Sequence, residues 1–101
     1  MFKQAPHIQD QPRVVTEIWR TYVIENDVYL VCVMPGTGKV RTTTPVQVSD
    51  PAKQEFVTES GRMYQCVGPM SPDMLIFRAA LLLSGLIDDV DTFTGNPELV
   101  Q

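Results

Sequence analysis

The run Val31-Cys32-Val33-Met34-Pro35-Gly36-Thr37-Gly38-Lys39-Val40 contains PGTGK, which spells like a phosphate-binding loop. Such a loop follows the pattern G-x-x-x-x-G-K-[S/T]: glycines let backbone N–H groups close on phosphate oxygens, the lysine neutralises charge and the hydroxyl helps hold magnesium. With the Gly-Lys pair set on Gly38 and Lys39, the first glycine falls on Val33 and the hydroxyl on Val40. A phosphate loop also runs into a helix whose N-terminus faces the anion, whereas Lys39-Val40-Arg41-Thr42-Thr43-Thr44 is a β-forming run. The stretch is expected to be a turn between two strands.

Other chemistries lack essential parts. Asp89-Val90-Asp91-Thr92-Phe93-Thr94-Gly95 begins like a calcium loop, but the positions that require a ligand, a glycine and a glutamate hold Phe93, Thr94 and Val100. His7 is the only histidine, so nucleophilic triads and histidine-rich metal sites lack their base or their ligands. Cys32 and Cys66 have no second pair of zinc ligands, and each sits in an apolar run where a reduced cysteine serves as a small buried hydrophobe. Glu17, Glu55 and Glu59 read as a solvated face and not as a catalytic dyad. No catalytic, cofactor-binding or metal-binding residue is assigned, and the chain is expected not to be an enzyme.

One polar group remains: Lys39, Arg41, Arg62 and Tyr64, with threonines 42–44 nearby. If the strand after PGTGK lies beside the strand that carries residue 62, side-chain alternation puts Arg41 and Arg62 on one face and Tyr64 on the other. That patch would suit single-stranded nucleic acid or an acidic protein surface. It would equally serve as a sheet face neutralised by Glu55 and Glu59.

The totals bound what these residues can belong to. A chain of 101 residues supports one domain with one modest core. At 44% hydrophobic and 20% charged it reads as an ordinary soluble globular protein, not as a disordered or fibrous one. Residues 1–87 balance eight basic against eight acidic groups, so the net charge of −4 comes entirely from Asp88, Asp89, Asp91 and Glu98. That balance disfavours duplex DNA, whose affinity comes mainly from Lys and Arg displacing counterions. The N-terminus lacks the apolar run of a secretory signal, and the longest apolar stretch, 74–83, is broken by Arg78 and spans about half of the ~20 residues a membrane helix needs. A cytoplasmic location without membrane contact is expected.

The elements that must position these residues follow from pattern. Residues 1–12, with Pro6 and Pro12, read as a mobile arm. Residues 14–24 form a first strand, Glu25-Asn26-Asp27 a polar turn, and 28–34, VYLVCVM, a central strand apolar on both faces. Residues 39–48 resume as a strand that Pro45 demotes to an edge or a bulge. Residues 54–58 and 62–67 form a hairpin across Glu59-Ser60-Gly61. Ser71-Pro72-Asp73 reads as an N-cap, a first-turn proline and a first-turn acid, so a helix is expected over 72–87. Its residues Met74, Leu75, Ile76, Phe77, Ala79, Ala80, Leu81, Leu82, Leu83, Leu86 and Ile87 surround the axis almost completely, and Gly85 stands ready to end it. The predicted fold is α+β: about five antiparallel strands in a strongly bent sheet or partly open SH3-like barrel, one domain over 13–87 with strands in 13–67, then an acidic tail over 88–101.

A helix apolar all round needs either a sheet that curls about it or a second subunit. The expected function is therefore a small non-enzymatic binding or regulatory module acting through protein contacts. It is expected to work as a homodimer through Phe77, Leu81, Leu82 and Leu86. By analogy of composition alone, its setting would be a phage, plasmid or other mobile element, as an accessory protein or an inhibitor that imitates phosphate charge. The alternatives are a single-stranded nucleic-acid-binding barrel using Lys39, Arg41, Arg62 and an exposed Tyr64, and a small-molecule-binding module with an apolar pocket of Trp19, Tyr22, Met74 and Phe77.

Overall fold

The computed structural model describes residues 13–90 and Phe93. Seven strands precede one helix: β1 (Arg13–Thr16), β2 (Trp19–Ile24), β3 (Asp27–Val33), β4 (Val40–Thr42), β5 (Val46–Asp50), β6 (Glu55–Thr58), β7 (Met63–Cys66) and α1 (Leu75–Leu83). They form a four-stranded sheet, β1-β7-β6-β5, and a three-stranded sheet, β2-β3-β4. The class is α+β, as the pattern predicts, but the sheets do not close into a barrel and the strands are not all antiparallel, because β1 runs parallel to β7.

The extra strands come from two breaks. Residues 14–24, expected as one strand, divide at Glu17-Ile18. The first half pairs with β7 and the second with β3. Residues 39–48 divide across Thr43-Thr44-Pro45, so that β4 joins the small sheet while β5 becomes the edge of the large one, with a register shift between Val46 and Val48. Proline cannot donate to a ladder, and here it falls where the chain leaves one sheet for the other. Hydrogen bonds carry the pairing around these corners: Val33 N donates to Ile18 O (2.9 Å), Thr43 N to Leu30 O (2.9 Å) and Val67 N to Thr16 O (2.8 Å).

The result is three layers. Between the sheets lies one core: Val14, Trp19, Leu30, Cys32, Met34, Phe56, Tyr64 and Cys66. Between the small sheet and α1 lies a second: Tyr22, Ile24, Val31, Phe77, Ala80, Leu81 and Ile87. Strand β3 is thus covered on both faces, with Leu30 and Cys32 in the first core and Val31 in the second. Its unbroken apolar sequence records that position, since a strand with one wet face would alternate. The β2–β3 turn has Glu25 and Asn26 both left-handed (φ 51° and 72°), as a two-residue I′ hairpin requires.

The helix is shorter than the expected 72–87. Ser71 does not cap it, because it is engaged by β2: its N donates to Trp19 O (2.8 Å), its Oγ accepts from Trp19 N (3.1 Å) and its O accepts from Arg20 Nη1 (2.9 Å). Met74 takes the cap position with no side-chain hydrogen bond, and the first turn holds no acid. At the other end Gly85 adopts φ +78°. Its N donates to Leu82 O and Leu86 N donates to Leu81 O, both at 3.0 Å, the pair of bonds that closes a helix on a left-handed residue.

Packing continues past residue 87, where the domain was expected to end: Val90 and Phe93 both lie against the second core. The arm expected over 1–12 and the rest of the tail lie outside the described residues.

Candidate functional site

With 3.6 residues per turn, α1 presents two unlike sides. Phe77, Ala80 and Leu81 face the small sheet and are buried. Leu75, Ile76, Ala79, Leu82 and Leu83 fall on the opposite side, and the four large members of that set are exposed by 70%, 48%, 40% and 69%. Together they form an apolar stripe along the outer side of α1. No charged residue falls within the stripe.

This placement revises the expected interface. Phe77 and Leu81 are fully buried in the second core, and Leu86 packs half-buried beside them. Of the four residues assigned from sequence, only Leu82 lies on the outer stripe. Leu75, Ile76 and Leu83 were not singled out as interface residues, although helical spacing from Leu82 would have found them once one face was known to be covered.

The N-terminal approach to α1 is tied to β2 by a cluster around Asp73. Tyr22 Oη donates to Asp73 Oδ1 at 2.6 Å, Arg78 Nε donates to Asp73 Oδ2 at 2.9 Å, and Arg78 Nη2 reaches the same oxygen. Arg78 Nη1 then donates to the carbonyls of Val90, at 2.9 Å, and Phe93. The Phe93 ring lies 5.8 Å from that of Tyr22 and 5.4 Å from the Arg78 guanidinium carbon. Burial pushes the Tyr22 hydroxyl well above its usual range, helped by the hydrogen bond it donates to the Asp73 carboxylate and by that negative charge. For Asp73, burial acts upward, but the hydrogen bonds from Arg78 and Tyr22 and the charges of Arg78 and Arg20 hold the carboxyl below its ordinary value. Asp73 therefore works as a clasp and not as the first-turn acid predicted from sequence.

The expected basic patch is dispersed. Tyr64 is buried in the first core at 2% exposure, and Arg62 is buried too. Arg41 does not stand on the face away from Tyr64; its Nη1 donates to the Tyr64 hydroxyl at 3.3 Å. The reason is the break at Pro45: β4 pairs with β3, so Arg41 projects from the small sheet toward the large one. Lys39 is exposed at the base of the PGTGK loop. None of the four supplies an exposed aromatic on which a base could stack.

That loop is a turn between β3 and β4, as expected. Met34 N donates to Lys39 O (2.7 Å) and Gly38 N to Met34 O (3.0 Å), and Gly36 and Gly38 take φ +85° and +71°. No helix follows it. No family model, curated protein or solved structure matches this chain. Function must be argued from its own geometry.

The anticipated apolar pocket is also divided. Tyr22 and Phe77 belong to the second core and Trp19 to the first. Trp19 instead borders an open hollow of about 200 Å³ with Pro51, Gln54, Phe56 and Met70. Its ring packs at 5.8 Å from Phe56.

Among the described residues no group of three or more His, Cys, Asp and Glu side chains comes together. Cys32 and Cys66 are free and buried. Burial pushes the Cys32 thiol up to about 12 despite the nearby Arg41 charge, and it pushes Cys66 up as well. Since the thiolate is the reactive species, neither cysteine should react with a thiol reagent at neutral pH in the native state, and both should react once urea unfolds the chain. Fast labelling of either in the folded protein would contradict this packing.

Proposed function

We propose that the chain is a small non-enzymatic module that binds or regulates through protein contacts, with the outer face of α1 as its docking surface. The observation that carries this reading is the apolar stripe of Leu75, Ile76, Leu82 and Leu83, which the fold leaves partly open to solvent although covering the rest of each side chain would add a share of the roughly 1.5 to 3 kcal/mol that full burial brings. A cytoplasmic setting accords with two free cysteines held in the core, because reducing compartments keep thiols unpaired. Among the described residues no helix is long and apolar enough to cross a membrane.

The test is capture from the cytosol of the source cell by the tagged full chain, with its own untagged copy counted among the captured proteins. Leu83→Glu should abolish capture of the specific partner, whereas Lys39→Ala should retain it. Undiminished capture by Leu83→Glu, with a folded circular-dichroism spectrum, would remove α1 as the docking surface.

A further inference from the structure

Two open sheets present four edges, and three of these are engaged or blunted. On β2, Ser71 exchanges hydrogen bonds with Trp19 through its N and Oγ. Strand β4 has three residues and stands beside α1. Strand β5 carries a register shift between Val46 and Val48 and runs between Pro45 and Pro51, features that discourage a further strand from adding to an edge. The fourth edge is β1, which pairs with β7 in unbroken register and with no other strand. No proline interrupts it.

Thr16 O accepts from Val67 N at 2.8 Å, so the backbone groups of Thr16 point into the sheet. The period of two along a strand gives Val14 the same direction and turns the N–H and C=O of Arg13 and Val15 outward, where no strand meets them. Side chains alternate as well: Val14 and Thr16 are buried, whereas Arg13, Val15 and, just past the strand, Glu17 are exposed. Arg13 Nη2 reaches Gln65 Oε1, but among the described residues neither Arg13 nor Glu17 has an ion-pair partner.

We infer that the free edge of β1 takes up β1 of a second copy of this chain, antiparallel to the first about a two-fold axis through Val15, so that two four-stranded sheets join as one. The outward-pointing groups allow an antiparallel copy to be centred on Val14, on Val15 or on Thr16. A centre on Val14 sets Arg13 opposite the other copy's Val15, and a centre on Thr16 sets Val15 opposite its Glu17; both leave the charges unmatched. Centred on Val15, Arg13 of each copy faces Glu17 of the other, and the two Val15 residues exchange N–H···O bonds across the axis. An isologous contact must be complementary to itself. The run Arg13-Val14-Val15-Thr16-Glu17 has that property in charge, positive at one end and negative at the other. With one sign at both ends, the edge would repel its own copy.

The Val15 side chains, 46% exposed in the single chain, would lie side by side at the centre, with Val67, 44% exposed, behind each. Hydrogen bonds and charge carry this contact more than area does. One short strand buries less than a standard interface, so a weak dimer with a dissociation constant of about 100–1,000 μM is expected. Strand β1 belongs to the large sheet and α1 packs on the small one, so this pairing does not rest on the docking role proposed for α1.

The experiment follows the full chain from about 10 μM to 2 mM by sedimentation and by amide hydrogen exchange. A reversible dimer should appear, and the Val15 amide should exchange about threefold or more slowly at the upper concentration than at the lower. Arg13→Glu and Glu17→Lys each set like charges opposite one another, and each alone should stay monomeric. Their equimolar mixture restores opposite signs at both ends and should dimerise as the wild type does. Val15→Pro removes the outward N–H without touching a β1–β7 bond, so it should keep a folded circular-dichroism spectrum and lose the dimer. Should that variant not fold, the charge variants decide alone.

A wild-type chain that is monomeric at 2 mM overturns the inference. So does a dimer that persists in both charge variants, and so does a mixture of them that stays monomeric. A Val15 amide equally protected at every dilution means that the chain covers its own edge, and also overturns it. A dimer abolished by Leu83→Glu, with Val15 exchange indifferent to concentration, places the contact on α1 and rejects β1.

Discussion

Phe77→Ala is expected to lower the free energy of unfolding by about 3–5 kcal/mol, the range for truncating a fully buried aromatic. Phe77 is 0% exposed and stands in the core between α1 and the small sheet, among Tyr22, Ile24, Val31 and Leu81. The substitution removes both the transfer energy of the ring and its packing contacts, and α1 meets the rest of the fold chiefly through this one face. A domain of this size has roughly 5–15 kcal/mol in total, so the variant should be close to unfolded at moderate temperature. Val48→Ala, at a side chain 60% exposed on the outer strand β5, should stay within about 0.5 kcal/mol of wild type. Urea denaturation of both variants decides the matter. A Phe77→Ala protein of nearly wild-type stability but altered oligomeric state would return Phe77 to the interface that its sequence context predicted.

The second large effect belongs to the clasp. Asp73→Asn should cost about 1–3 kcal/mol at neutral pH, because it leaves Arg78 and Tyr22 facing a neutral amide. The figure is kept below that for a fully buried pair because both side chains retain about a fifth of their exposure. The pH dependence follows from the direction of the Asp73 shift. A carboxyl held below its ordinary 3.8 in the folded chain binds its proton more readily when unfolded, so its contribution is complete above that ordinary value. It declines as the pH falls through the folded value. The gap in stability between wild type and Asp73→Asn should thus be full at pH 7 and narrow in acid, as measured by urea unfolding at each pH. A gap that does not change with pH would mean that the carboxylate charge contributes nothing. Loss of the clasp should also loosen the contact of Phe93 with Tyr22, since Arg78 holds the carbonyls of Val90 and Phe93.

The expected basic patch fails for a reason of topology. Alternation sets the faces of Arg41 and Tyr64 only if they are neighbours on a single sheet. They meet across two sheets because the chain breaks at residues 43–45. Proline at 45 announces a break, but it does not say which sheet each half will join. The same holds for Glu17-Ile18, where no Gly or Pro marks the corner and only the pairing of β1 with β7 reveals it. Ser71 shows a different limit. Its pattern with Pro72 and Asp73 is that of a helix start, yet a local signal yields when a neighbouring strand offers the same groups better partners.

By itself, the sequence determined whatever depends on local periodicity and turn chemistry: the doubly apolar β3, the PGTGK turn, the β2–β3 and β6–β7 hairpins, and the C-terminal helix, though not its limits, which lie at Leu75–Leu83 and not at 72–87. Only the tertiary structure chose which side of α1 the small sheet covers, and so which of its aliphatic side chains stay exposed. The physical reason is that hydrophobic burial is non-directional. Composition says that the residues around α1 seek cover, while the placement of β3 and β4 decides which of them receive it.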